Sequence, residues 1–406
     1  MISVGIDVSK GKSVVCAMKP GGEVLFAPLE ILHTTEDLVS LATTLQNYSE
    51  EVRVVLEATG HYHWPVVSLL VENNIFVSCI NSLRMSRYCA QDIRKGKSDK
   101  IDSIKIASYG IAYWSDLEPI SPTGEAYEEL RFLSRQYYQH TSFLIKAKIN
   151  LGNLLDQTMP GIKVLLHSEN RTNKYLYVVE RYWHFGNILH MGETAFTNDF
   201  CEWGKEKRFL KNKIIANRIF MLAHNGITTL PLSRSTKLVM QEAIKMVQEA
   251  EKSKDVILQR MQELACGLPE YATVLAMEGV GPILAPRLIA EIGDVRRFHS
   301  GSALIAYTGI DAPEKQSGSF RAEHRRISKR GNKYLRKTGY EIMTTITSNK
   351  PDNDAVYNFI MKKKAEGKRG KLALIAGLNK FLRIYYARVK EVYQETEARF
   401  DLRIAN

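Results

Sequence analysis

The 406-residue sequence has no apolar stretch approaching the ~20 residues that a bilayer-spanning helix requires. Its first residues, MISVGIDVSKGK, carry no signal-peptide core, so a cytoplasmic protein without a membrane partner is expected. Cysteine is sparse: the five residues Cys16, Cys79, Cys89, Cys201 and Cys266 are scattered and form no C-x-x-C pair. That pattern argues against both a disulfide framework and a zinc site. Low-complexity tracts and fixed-period repeats are also missing. What remains is ordinary globular composition, 45% apolar and 25% charged, in a chain too long for one hydrophobic core.

The charge is less ordinary. A net +12 points to a polyanionic partner, nucleic acid rather than the anionic membrane surface that total charge alone would also suit. Divided at apparent breaks, residues 1–120 carry −3, residues 121–265 carry +5 and residues 266–406 carry +10. These three segments are the expected domains. The basic excess in the last of them reads as a docking surface.

Residues 3–8, 13–18 and 24–29 are β-branched or apolar runs joined by Lys-Gly-Lys and Gly-Gly turns, the pattern of three antiparallel strands. A helix over 35–47, a strand over 52–57, a helix over 61–72 and a strand over 75–80 then predict a βαβαβ series. This order is that of an α/β RNase H-like domain; actin-like sugar kinases begin similarly. From Leu130 a heptad seam runs through Leu133, Tyr137, His140, Leu144, Ala147, Leu151 and Leu154, and a second long helix is expected over 235–265. Together they predict a coiled-coil arm around an aromatic-rich insertion, about 160–234, that shows no clear period. The last segment reads as mainly α-helical.

Four carboxylates stand out. Asp7 lies within the apolar strand Val4-Gly5-Ile6-Asp7-Val8, where an unpaired charge is expensive to bury. Glu57 ends its strand, and Asp99 and Asp102 open a helix three residues apart, on one face. Taken singly, Asp7 is an ordinary strand acid and the helix pair simply suits an N-terminal dipole. Taken together on an RNase H-like scaffold, four hard oxygen ligands suit Mg2+ or Mn2+. Two such ions about 4 Å apart would stabilise the attacking and leaving oxygens of a phosphodiester.

In the last segment, Glu278-Gly279-Val280-Gly281-Pro282 between short apolar helices reads as a helix-hairpin-helix, with Gly279 and Gly281 allowing close approach to a phosphate. A plain helix–helix turn is the alternative. Beyond it, Lys315, Arg321, Arg325, Arg326, Lys329, Arg330, Lys333, Arg336 and Lys337 stand against one acid, Glu323. They surround the small turn Gln316-Ser317-Gly318-Ser319. A hydroxyl in such a cationic field is a candidate nucleophile toward phosphate.

As a set, Gly-Ile-Asp7-Val-Ser-Lys, Leu-Glu57-Ala-Thr-Gly, Lys-Ser-Asp99-Lys-Ile-Asp102, the Glu-Gly-Val-Gly-Pro hairpin and the Tyr-Thr-Gly-Ile, Gln-Ser317-Gly and Lys-Arg-Gly-Asn-Lys-Tyr-Leu-Arg motifs resemble the DEDD insertion-sequence transposases of the one-ten/eleven-eleven type. That family includes the Piv invertase and bridge-RNA-guided recombinases. The resemblance covers 1 to about 120 and 270 to about 345; the tail after Ser348 hardly matches. It implies a RuvC-like N-terminal domain, a coiled-coil connection and a C-terminal transposase domain. It further implies Mg2+ on Asp7, Glu57, Asp99 and Asp102, and Ser317 as nucleophile, with Ser319 in a similar setting. The expected partners are donor and target DNA, a structured guide RNA, and further copies of the chain in dimers or tetramers with composite sites, acting in a prokaryotic, nucleoid-associated setting.

The implied reaction is transposition or site-specific recombination through a phosphoserine link. An RNA-independent invertase and a RuvC-like structure-selective endonuclease remain alternatives. An actin-like kinase is disfavoured, because no second Asp-x-Gly turn or Gly-rich adenosine motif is present.

Overall fold

The structure is a computed structural model that describes the chain except residues 58–61, 91–97, 121–123, 170–174, 208–211, 314–315, 318–319, 322–325 and 405–406. It divides into two compact units, Met1–Pro122 and Thr123–Asn406. The expected middle and C-terminal segments therefore share one unit. No helix among the described residues is long and apolar enough to cross a membrane.

The first unit holds a five-stranded sheet in the order β3-β2-β1-β4-β5. Its strands are β1 (Ile2–Ser9), β2 (Lys12–Met18), β3 (Val24–Leu32), β4 (Val52–Glu57) and β5 (Phe76–Ile80). β1, β2 and β3 pair antiparallel, whereas β1, β4 and β5 pair parallel. The helices are α1 (Thr35–Gln46), α2 (Trp64–Glu72), α3 (Ser82–Cys89) and α4 (Asp99–Ala112). The mixed sheet follows the sequence expectation closely, because β-branched runs and tight glycine turns are local signals. The short α3 was not anticipated.

Strand periodicity sorts β1 into two faces. Ile2, Val4, Ile6 and Val8 pack with Leu38, Leu41 and Leu45 of α1 and Val66 and Leu70 of α2. Ser3, Gly5 and Asp7 face the other way, toward α4. At Gly5 a Cβ would lie 2.2 Å from the Ala107 nitrogen and from the Ser103 oxygen, so α4 rests directly on the β1 backbone. Gly110, one turn on, lies over Ser3. α4 therefore runs antiparallel to β1.

The second unit is almost entirely helical. Two long helices, α5 (Glu125–Thr158) and α11 (Arg234–Cys266), pack along each other. Lys148 meets Glu251 at 2.6 Å and Arg260 meets Glu129 at 3.0 Å, which fixes them as antiparallel. Between them come α6 (Ile162–Glu169), α7 (Tyr175–Tyr182), α8 (Phe185–Met191), α9 (Glu193–Glu206) and α10 (Asn212–Asn225). The insertion without a period is thus a helical bundle. Its core combines Tyr182, Phe185, Phe196 and Phe200 with Leu151 and Leu155 of α5 and Met240 and Ile244 of α11.

The heptad seam on α5 is displaced from its expected line. Leu130, Tyr137, Leu144, Ala147 and Leu151 are buried as anticipated, but Leu155 rather than Leu154 is buried at the far end, and Ser134 and Tyr138 are buried too. The reason is that α5 has several partners: its N-terminal half also packs on α13, which widens the buried stripe.

The remaining elements are α12 (Tyr271–Leu275), α13 (Leu284–Ile292), α14 (Gly301–Thr308), the two-residue strands β6 (Gln316–Ser317) and β7 (Phe320–Arg321), α15 (Lys333–Asn349), α16 (Ala355–Ala365) and α17 (Gly370–Ile404). The helices among them share a second core with the N-terminal part of α5 and the C-terminal part of α11. The two long helices each span both cores and tie them into one unit.

Candidate functional site

The acidic group is assembled by the faces of the sheet. In the parallel register Ile6 stands beside Leu56, so the next residues, Asp7 and Glu57, occupy neighbouring positions on β1 and β4. Both are half-buried. Period two places Asp7 on the α4 side with Ser3 and Gly5, and Glu57 on that side with Val55, which packs against Ile106 and Tyr109 of α4. Because α4 is antiparallel to β1, its first turn, with Asp99 and Asp102, lies toward the strand end that carries Asp7.

The start of α4 is set by Ser98, whose Oγ accepts from the Ile101 N–H at 3.3 Å. Asp99 is exposed and Asp102 half-buried. The electrostatics agree with this placement. The Lys12 ammonium, at the β1–β2 turn, is raised above its ordinary value by Glu30 and more weakly by Asp99. Burial, with the nearby Glu57 carboxylate, pushes the Cys79 thiol up to about 11.

All four donors are carboxylates, a set suited to a hard divalent cation. Even so, no three His, Cys, Asp or Glu residues among the described ones stand together as a metal-holding group. Two neighbouring strand ends and one helix start bring the acids to one end of one face.

In the second unit Ser317 lies on β6, opposite Phe320 of β7, with Gln316 opposite Arg321. Ser319, Lys315, Arg325 and the turn Gly318 lie outside the described residues. The basic side chains that are described divide by role. Arg326, Lys329, Arg330 and Lys333 are exposed. Arg336 instead donates to the carbonyls of Thr308 at 2.9 Å and Gly331 at 3.1 Å, a commitment to the protein's own backbone.

The loop before α15 is tied to α14 by Ser328, which donates to Asp311 at 2.5 Å, and by the Lys329 N–H, which donates to the Gly309 carbonyl at 3.0 Å. In the Gly-Val-Gly turn, Gly279 adopts φ +75°, and a Cβ there would meet Ile346 at 2.5 Å. Its freedom is therefore used against α15. Gly281 faces open space, and its carbonyl accepts from the N–H groups of Leu284 and Ala285 at the start of α13.

Sequence reasoning missed a buried polar cluster beneath this region. The Glu291 carboxylate, fully buried in α13, accepts from Ser134 at 2.7 Å and Asn332 at 2.7 Å and pairs with Arg135 at 3.0 Å. The signal was available: a lone acid in the apolar run Leu284–Ile292 demands partners.

Comparison with known proteins covers both units. Residues 4–160 match a transposase family model of the DEDD IS110 type, and residues 271–358 match the model of the transposase IS116/IS110/IS902 family. The chain is 30% identical over 393 residues to the pilin gene-inverting protein of Moraxella bovis, covering 96% of this chain and 95% of that one. It is 23% identical over 395 residues to an uncharacterised 44.8 kDa protein of insertion element IS116 from Streptomyces clavuligerus, again covering 96% and 95%. Among solved structures, Thermus thermophilus RuvC aligns over 30% of this chain and all of its own, with 11% identity and a TM-score of 0.24.

Proposed function

The chain belongs to the IS116/IS110/IS902 family of transposases, and on that footing we propose that it is the transposase or site-specific recombinase of an insertion sequence, cleaving and rejoining DNA through a serine–phosphodiester intermediate. One observation carries the reading. The two family matches fall on the segment with the four acids and on the segment with Ser317.

In the proposed step the Ser317 oxygen attacks phosphorus, and a new P–O bond forms as the bond to one DNA oxygen breaks. The serine proton is given up as the bond forms and one proton is delivered to that oxygen, which leaves as a hydroxyl, so protons balance across the step. Attack by a hydroxyl of another strand then reverses the step and releases serine, so the bond energy is kept and no nucleotide cofactor is needed. Surrounding cations such as Arg326 and Arg330 oppose the charge that builds on the phosphate. Asp7, Glu57, Asp99 and Asp102 would hold Mg2+ or Mn2+, two ions per site, which supplies Lewis-acid stabilisation of the same charge. Ser319 is the alternative hydroxyl.

The finer parts of the reading follow from membership. α5 and α11 serve as a coiled-coil arm of a homo-oligomer, dimer or tetramer, and the Gly279–Gly281 turn serves as a helix-hairpin-helix on DNA. An element-encoded RNA reads the donor and target sequences, leaving mainly backbone contacts to the protein. The likeness to the Moraxella pilin gene-inverting protein favours a second reading, DNA inversion without a guide.

The test is to supply element-end DNA with Mg2+ to the purified protein. Ser317→Ala should lose the covalent protein–DNA adduct and joining, and Asp102→Asn should lose strand exchange while DNA binding persists. Hydrolysis that survives Ser317→Ala without joining would make it a nuclease instead. Sequencing of RNA co-purified from the native locus separates the guided from the unguided reading.

A further inference from the structure

The tail beyond residue 348 is the part of the chain that the sequence motifs leave without a role. Its helices α16 and α17 meet at a turn through Gly367, and against them lie Ile310, Ala312, Arg326 and Ile327. Together they enclose a groove of about 1260 Å³. We propose that this groove holds an unpaired DNA strand during strand exchange. The inference rests on the recombinase reading above and adds a site to it.

Charge complementarity carries the argument. Six cationic side chains and one carboxylate line the groove, and that carboxylate, Glu366, is already taken by Lys363 at 2.7 Å. Among the described residues Arg326, Lys368, Arg369, Lys380 and Arg383 meet no carboxylate within salt-bridge distance, although they crowd one concavity. Lys380 of α17 and Lys363 of α16 both lie about 5 Å from the Phe359 ring, at 5.0 and 5.2 Å, so one aromatic ring gathers ammonium groups from two helices. Such mutual repulsion is relieved by a polyanion threading the groove.

The floor distinguishes which polyanion. Ile327, Ile375 and the exposed Leu372 are apolar. A duplex would present phosphates to them and leave that surface unfilled, whereas an unpaired strand offers base faces to the floor and phosphates to the rim. The position in the chain argues for DNA: Ala312 and Arg326 flank in sequence the segment that carries Ser317.

The test uses full-length protein. Lys368, Arg369 and Arg383 are exposed, so a triple change to Gln should leave the thermal midpoint within error. Affinity for a short single-stranded DNA of mixed sequence should fall about tenfold or more, and the slope of log K against log salt should become shallower by about 2, at roughly 0.7 per lost phosphate contact. Duplex affinity should change far less. A photo-crosslinking residue in place of Leu372 should capture the DNA strand next to the cleavage site in the assembled reaction. Unchanged single-strand affinity, or crosslinks to RNA or to the protein's own chain, would overturn the groove assignment while the recombinase reading stands. Wild-type protein that binds no DNA at all would overturn both.

Discussion

Asn332 and Glu291 are joined at 2.7 Å, the Asn332 amide donating to a carboxylate with no solvent exposure. The other end of the same amide caps α15: its Oδ1 accepts from the N–H groups of Tyr334 at 2.9 Å and Leu335 at 3.0 Å. One side chain thus starts the helix that follows the basic segment and completes the shell of a buried charge.

Two substitutions separate those duties. Asn332→Ala removes the cap and orphans part of the carboxylate shell, and should cost about 2–4 kcal/mol of unfolding free energy. Asn332→Ser keeps a capping oxygen but cannot reach Glu291, so it should cost about 1 kcal/mol less. Urea unfolding of both variants checks the order; equal losses would show that the cap contributes nothing.

Gly5→Ala should be far more damaging than its size suggests. The new methyl would meet backbone atoms of Ser103 and Ala107 at 2.2 Å, and backbone cannot rotate aside as a side chain can. α4 must lift from β1, at a cost of about 3 kcal/mol or more, and it takes Asp99 and Asp102 with it. Loss of cooperative unfolding in the first unit together with lost strand exchange is the expected result; a fully stable variant would mean that α4 does not rest on β1.

Cys79 reports on Glu57. With its thiol pushed up to about 11, first by burial and then by the Glu57 carboxylate, Cys79 should be alkylated slowly at pH 8, far more slowly than the exposed Cys266. Glu57→Gln removes the negative charge, so the inflection of the Cys79 rate against pH should move lower. Site-resolved mass spectrometry after iodoacetamide pulses reads this directly, and an unmoved profile would separate Glu57 from the β5 edge.

Glu50 supplies a pH dependence. Lys19 at 2.5 Å, and then the N-terminal ammonium at 2.5 Å, hold its carboxyl at about 2, below the ordinary value of 4.5. A depressed folded-state value stabilises the protein above the unfolded value, and the benefit is lost as pH falls from about 4.5 toward 2. The urea midpoint of wild type should therefore exceed that of Glu50→Gln at pH 6 and approach it as pH drops to 3. Added salt should narrow the gap at any pH, because the pair is exposed.

Much of the first unit was determined by sequence alone. The β-branched or apolar runs that become β1 to β3 and the glycine turns after β1 and β2 are local signals, and each acts within a few residues. Asp7, Glu57, Asp99 and Asp102 stood out as a set on one expected scaffold, and Ser317 by the basic residues around it in sequence.

Tertiary structure alone decided the rest. The face shared by Asp7 and Glu57 with α4 depends on which helix covers which side of the sheet. The shift from Leu154 to Leu155 on α5 depends on the inserted helices that pack round that end, and the use of Gly279 depends on α15 lying against it. The groove at α16 and α17 joins residues from about 310 to 383. Such features rest on contacts between residues far apart in the chain, where propensity and periodicity carry no information about which partner arrives.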